Sequence, residues 1–375
     1  MCAGRPDPIL TILREAGHES YYVGGCVRDL LLGRPIHDWD ITTSALPEQT
    51  MACFPHCVPT GIKHGTVTVL VENWSAEVTT FRADGAYSDG RHPDRVSFVG
   101  NLEDDLSRRD FTINAMAIDT QGNIVDLFGG KEDLDRKLIR CVGDPETRFR
   151  EDALRILRAI RFSAQLGFTI EENTRRAIAD CADLCRRLSV ERVRDELEKT
   201  LLSEQPYKIE EMFALGLLET GEANHSQDYR WLESLPNERV VRWAGLCRIL
   251  PRLDLIKLRL DKRTAVNAMA AGRCAVPDTT LAWKRMIAEY GCERARITAA
   301  LCGCADLVED LLSSGQCLSL KELAIKGSDL TALHGADVGN MLHMLLEHVL
   351  EHPENNSRKK LLEIYKNRID SCYLM

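Results

Sequence analysis

The sequence predicts an α+β chain: a small α/β head followed by a long, all-helical region. Three observations carry that prediction. Strand-like alternation, turns and short helical stretches mix between about residues 20 and 135. After Asp144-Pro145, helical periodicity and strong helix formers dominate. The 375 residues exceed one ordinary domain, and no apolar run reaches the length that crosses a membrane.

The elements follow in order. Tyr21-Tyr22-Val23 reads as a short strand, and Val27 to Leu32 as the opening of a helix. Gly65 to Val71 and Ala76 to Arg82 read as strands, joined into a hairpin by Glu72-Asn73-Trp74-Ser75. Asp84 to Pro93 is a loop rich in Gly, Asp and Arg. Ile113 to Asp119 and Ile124 to Leu127 form another strand pair around Thr120-Gln121-Gly122-Asn123. Glu151 to Leu166 reads as one continuous helix. Helices are also expected over Glu171–Leu188, Val190–Ser203, Pro206–Leu217, Asn237–Leu250, Gly303–Ser314, Val338–Leu350 and Arg358–Asp370. There is no internal repeat and no low-complexity segment.

Composition narrows the function classes. A net charge of -9 argues against indiscriminate nucleic-acid binding, although a local basic track suffices for a specific one. Met1 to Asp7 shows no apolar signal region, so a cytoplasmic protein without a membrane partner is expected. The chain has 14 cysteines but no C-x-x-C pair. Cys53, His56 and Cys57, and the remote Cys302 and Cys304, lack the paired spacing of tetrahedral zinc sites. The cysteines are expected reduced, as small core hydrophobes.

The chemistry begins at Gly24-Gly25-Cys26-Val27-Arg28-Asp29, followed by Asp38-Trp39-Asp40. Paired glycines let backbone N–H groups approach a triphosphate, and a helix N-terminus beside them favours an anion. Arg28 adds a fixed charge near the phosphates. In a strand, residues two apart face the same way, so Asp38 and Asp40 can aim both carboxylates at one hard cation. Each motif alone is weak: a tight turn and a solvated acidic loop would look the same. Together, in this order, they are the ground plan of nucleotidyl transfer.

Two further constellations follow. Arg108-Arg109-Asp110-Phe111-Thr112-Ile113-Asn114-Ala115 can hold phosphate or a ribose hydroxyl, or can be a capped turn. Glu77, in the strand between, is a candidate third metal ligand, an orienting group or a surface residue. In Glu151-Asp152-Ala153-Leu154-Arg155-Ile156-Leu157-Arg158-Ala159-Ile160-Arg161, Asp152 and Arg155 stand three apart and would be neighbours on one helix face. Arg158 continues the row, Arg161 turns away, and Leu154, Leu157, Ile160 and Phe162 pack. A salt-bridged amphipathic helix explains the pattern. So does base reading: a carboxylate accepts from an exocyclic amine while a guanidinium donates to a ring acceptor. That pair accepts cytosine and adenine and rejects uracil and guanine.

These four motifs, in this order, resemble the bacterial tRNA nucleotidyltransferase (CCA-adding) and poly(A) polymerase family of the polymerase-β-type superfamily. The resemblance is dense from about residue 20 to 225. It implies a nucleotidyltransferase head over 1–137, then an elongated all-α region: neck 138–203, body 204–265 and tail 266–375. It implies template-independent addition of C, C and A to the acceptor end of tRNA from CTP and ATP, with Mg²⁺ on Asp38 and Asp40 as the catalytic pair. Gly25, Arg28, Arg109, Arg158 and Arg161 match its nucleotide-contacting residues, and Asp152 and Arg155 its amino-acid template. A-only addition, a poly(A) polymerase and a homodimer stay open as alternatives. Candidate tRNA contacts are Arg186, Arg187, Arg192, Arg194, Lys284, Arg285, Arg294, Arg296, Arg358, Lys359 and Lys360.

Overall fold

The computed structural model describes residues 5–72, 74–84, 96–98, 100–216 and 228–373. The chain divides into two compact units, Met1–Leu218 and Glu219–Met375. The expected loop from Asp84 to Pro93 lies, beyond Asp84, outside the described residues.

The first unit carries a seven-stranded sheet. Its strands are β1 (Ser20–Val23), β2 (Trp39–Thr43), β3 (Cys57–Gly61), β4 (Thr66–Val71) and β5 (Trp74–Thr80). After a separate ribbon of β6 (Arg82–Asp84) and β7 (Val96–Phe98) come β8 (Met116–Ile118) and β9 (Ile124–Asp126). The order is β3-β4-β5-β2-β1-β8-β9. Neighbours are antiparallel except β2 and β5, which run parallel with Asp40 opposite Glu77. The expected hairpins 65–82 and 113–127 are present, the second shortened because Thr112–Asn114 winds into a 3-10 turn. Along β5, Ala76, Val78 and Thr80 are buried while Glu77 is exposed, the period-two pattern of a half-buried strand.

Helices α1 (Asp7–Glu15), α2 (Gly25–Leu31), α3 (Pro47–Cys53) and α4 (Leu102–Ser107) accompany the sheet. The apolar stripe Ile9, Leu10 and Leu13 buries α1, and Tyr22 donates its hydroxyl to Asp7 at 3.0 Å. Leu102 and Leu106 of α4 join Val23, Phe81 and Ala117 in one cluster, which lays α4 against the sheet. Each fully buried leucine or phenylalanine there contributes about 1.5–3 kcal/mol.

After α5 (Gly130–Asp135), helices α6 (Pro145–Glu151), α7 (Leu154–Leu166), α8 (Glu172–Asp180), α9 (Val190–Leu201) and α10 (Ile209–Ala214) complete the unit. The expected helix from Glu151 to Leu166 is present as α7 but starts only at Leu154, because Glu151 ends α6. Asp144 caps α6 by accepting from the Thr147 N–H at 2.8 Å. Asp152 then adopts extended φ/ψ of -147°/104°, and its carboxylate accepts from the Leu154 N–H at 3.0 Å. Asp152 therefore ends one helix and helps start the next. Propensity could not show this, because good helix formers stand on both sides.

The second unit is helical where described: α11 (Trp231–Ser234), α12 (Arg239–Ile249), α13 (Lys262–Arg273), α14 (Thr280–Tyr290), α15 (Cys292–Cys302), α16 (Ala305–Ser313), α17 (Ala336–Glu351) and α18 (Arg358–Tyr373). Helices α12 and α13 touch so closely at Gly272 that a Cβ there would lie 2.4 Å from the Ala244 carbonyl oxygen. A second core gathers Trp283, Leu345, Val349 and Leu361. No described helix is long and apolar enough to cross a membrane. Cys26, Cys141, Cys181, Cys185, Cys247 and Cys317 are free and buried, packing as the small hydrophobes that the sequence suggested.

Candidate active site

A cavity of about 470 Å³ opens beside the ends of β1 and β2. Gly25, Arg28, Asp38, Asp40, Arg109, Arg158 and Arg161 all line it. Residues from the sheet, from α2, from the turn after α4 and from α7 thus converge on one volume.

Gly24 makes the turn between β1 and α2. Its φ/ψ of 75°/-134° is open essentially to glycine alone. A Cβ there would stand 3.1 Å from Arg109 Nη1 and 3.6 Å from Asp40 Oδ2. Gly24→Ala is expected to cost about 1–3 kcal/mol of stability through that strain. A urea midpoint equal to that of the parent protein would contradict it.

The cations are held from behind. Arg28 donates to both oxygens of Asp29 at 3.0 and 2.9 Å and to Asn114 Oδ1 at 2.8 Å. Arg109 donates to Asp105 at 3.0 Å, while its Nε is buried with no hydrogen-bond partner among the described residues. Asp105 is fully buried and also accepts from Arg108 at 2.8 Å and from the Thr42 hydroxyl at 3.2 Å. Arg158 donates to Asp110 at 2.8 and 2.5 Å. Arg161 donates to Glu196 at 2.5 Å and to Gln165 at 2.6 Å.

The acids differ. Asp38, just before β2, is exposed, and Asp40 is half-buried. Burial raises the Asp40 carboxyl from 3.8 to about 6; Arg109 pulls it down, while Glu77 and Asp38 push it further up. Asp110 behaves oppositely. Burial would raise it, but Arg158, Asn114 and the Phe111 N–H bring it to about 2. Glu77 stands opposite Asp40 across the ladder, exposed and outside the cavity wall. Among the described residues, no three metal-capable side chains cluster around one point, so Glu77 does not complete a three-carboxylate set.

Two expected site residues lie elsewhere. Asp152 and Arg155 are not among the residues that line the cavity, and the Arg155 N–H donates to the Asp152 carbonyl at 3.0 Å. Asp152 accepts from Arg192 at 2.7 Å. Arg155 donates to Glu151 at 2.5 Å and to the carbonyls of Arg148 and Arg108 at 3.1 and 3.0 Å. The break at Asp152 removes the shared helix face on which the pairing was expected. Arg161 lines the cavity.

Sequence reasoning missed Asp105, Glu196, Phe162 and Lys199. The last two line the cavity, and the first two fix its arginines. Most of the expected RNA-contacting cations are engaged by protein groups. Arg192 holds Asp152, Arg194 Asp195, Arg285 Glu347 and Glu351, Arg296 Glu309, and Arg358 Asp329. Arg187 and Lys359 have no partner among the described residues.

Residues 20–140 match the family model described as the Poly A polymerase head domain. Residues 167–220 match one described as a probable RNA and SrmB-binding site of polymerase A. The chain is 48% identical over 271 residues to the CCA-adding enzyme of Lactobacillus delbrueckii subsp. bulgaricus, spanning 70% of this chain and 68% of that one. It is 42% identical over 360 residues to the CCA-adding enzyme of Geobacillus kaustophilus, spanning 88% and 87%. A crystal structure of the Bacillus stearothermophilus CCA-adding enzyme in complex with CTP is 35% identical. It aligns with a TM-score of 0.84 over 98% of this chain and 100% of that one.

Proposed function

This chain belongs to the CCA-adding enzyme family, and from that premise we propose that it adds C, C and A to the 3′ end of tRNA from CTP and ATP. The addition uses no nucleic-acid template and releases pyrophosphate. The observation that supports it best is that Asp38, Asp40, Arg28, Arg109, Arg158 and Arg161 line one cavity.

The tRNA 3′-hydroxyl attacks the α-phosphorus of the bound nucleotide. A new P–O bond forms, the bond to the β-phosphate oxygen breaks, and pyrophosphate carries away the charge. Gly24 and Gly25 keep side chains out of the way of the phosphates. Arg28, held by Asp29 and Asn114, and Arg158, held by Asp110, present donors to phosphate oxygens from fixed positions.

Asp38 and Asp40 fit a divalent cation: both offer hard oxygen donors to the same cavity. Mg²⁺ is the ion of this reading. When bound, it stabilises the attacking oxygen and the charge on the transferring phosphoryl group.

Base choice is assigned to Asp152 and Arg155. In the structure both are engaged by Arg192 and Glu151, so reading a base requires them to exchange partners. Arg155→Ala is expected to admit UTP and GTP with a smaller effect on CTP turnover. A variant that still rejects both fully would remove Arg155 from base selection. The four-part division into head, neck, body and tail accompanies this reading. Residues 1–203 fall within one compact unit, where Arg155 and Arg158 bind the backbone and side chain of 108–110.

The deciding experiment is incubation with tRNA lacking its 3′ end and each labelled nucleotide in turn. Two C additions followed by one A are expected. Addition of A alone, on tRNA already ending in CC, would reassign the chain to A-only addition. Long A tails on unstructured RNA would make it a poly(A) polymerase.

A further inference from the structure

Phe162 stands on α7 and is 5% exposed, which reads at first as core. Its surroundings are not those of a core phenylalanine. The Arg161 guanidinium carbon lies 3.9 Å from its ring centroid, that of Arg28 5.1 Å and that of Arg158 5.2 Å. Three cations from two helices therefore share one ring, and all three, with the ring itself, line the cavity. Phe111 meets the same ring edge-on at 5.8 Å and fixes its plane.

Each arginine is also pinned at its edge: Arg28 by Asp29 and Asn114, Arg158 by Asp110, and Arg161 by Glu196 and Gln165. Nη1 of Arg158 and Nη2 of Arg161 keep no protein partner among the described residues. Asp29, Asp110 and Glu196 already pair with these like charges at their edges, and a further carboxylate would leave less positive charge for an anion. An aromatic ring attracts cations through its quadrupole but carries no net charge.

Resting on the nucleotide-binding reading above, we propose that Phe162 is a positioning residue whose ring face holds Arg28, Arg158 and Arg161 in register for the triphosphate of the incoming nucleotide. The sequence pattern had placed it only on the packed side of its helix. The ring touches no reacting atom; it acts through the three guanidinium groups.

The test is a series of full-length proteins carrying 4-fluoro-, 3,5-difluoro- and 3,4,5-trifluorophenylalanine at position 162, with Phe162→Leu and Phe162→Tyr alongside. Fluorination weakens the quadrupole while nearly preserving shape. KM for CTP and ATP is expected to rise by about twofold per fluorine, with kcat and the melting temperature nearly constant. Phe162→Leu is expected to raise KM about tenfold and Phe162→Tyr to restore it. CMP competition is expected to change less than CTP binding, since CMP lacks the two outer phosphates. A KM that stays flat across the fluorinated series overturns the proposal, whatever Phe162→Leu does. In that case wild-type protein still extending tRNA from CTP and ATP leaves the proposed function standing. A wild type that extends no tRNA fails the function itself.

Discussion

Replacing Asp40 with asparagine is expected to abolish nucleotide addition, by about 10³-fold or more, and to raise the melting temperature of the metal-free protein. The first effect follows from losing one of two carboxylates that hold the cation and its charge at the reacting phosphorus. The second follows from the carboxyl itself, which burial, Glu77 and Asp38 keep at about 6 against an ordinary 3.8. The folded protein holds that proton more tightly than the unfolded chain. Its contribution to stability is therefore full below about pH 4, falls as pH rises through about 6, and is missing at neutral pH. Linkage makes the loss about 3 kcal/mol at pH 7. Asparagine removes it, at about 2–4 °C per kcal/mol for a unit of this size. Calorimetry in chelator checks the sign, and Mg²⁺ is expected to narrow the gap by stabilising only the parent protein. A lower midpoint for Asp40→Asn would contradict the account of the buried charge. Retained turnover would remove Asp40 from catalysis.

Asp110→Ala is expected to destabilise the first unit by about 3 kcal/mol. This carboxylate is 8% exposed and accepts from Arg158, from Asn114 Nδ2 at 3.1 Å and from the Phe111 N–H at 2.8 Å. Alanine leaves those donors without a partner and Arg158 without its counter-ion. Because Arg158 is about one-third exposed, the loss stays at the low end for a broken buried pair. The carboxyl is held near 2, so its contribution is present above about pH 4 and disappears as pH falls through about 2. Parent and variant unfolding curves in urea are expected to converge over that acid range. A difference below about 1 kcal/mol at pH 7 would show that water replaces the lost contacts.

Much of this site was legible because its parts are local. Gly24-Gly25 needs only a turn between a strand and a helix, and Asp38-x-Asp40 needs only the period of a strand. The arginines were legible as charges in ordered motifs. What holds them was not. Asp105 in Leu102–Ser107 reads as one more acid on a solvated helix, yet it is fully buried against Arg108, Arg109 and Thr42. Glu196 reads as a surface position of α9, yet it is 3% exposed on Arg161. Only tertiary contact turns either into a site residue. The same reason hid the break at Asp152, where Arg192, forty residues on, takes the carboxylate that periodicity had given to Arg155. The fold divides likewise: two hairpins, 65–82 and 113–127, announced themselves through their turns, whereas the pairing of β3 with β4 was not read and the parallel pairing of β2 with β5 had no local signature.

That parallel pair sets an order of events during synthesis. β2 can meet β1 early, since both lie close in sequence, but no tight turn brings parallel strands together. β5 can lie beside β2 only after the chain has made α3, β3 and β4, and the entropy of closing that longer loop makes the step slow. Until then Asp38 and Asp40 sit on an open edge, fully hydrated. The electrostatic repulsion between Asp40 and Glu77 is thus deferred until β5 joins β2, while β8 and β9 are still to come on the other side of β1. A nascent chain stalled on the ribosome before Trp74 would carry both acids and hold no site.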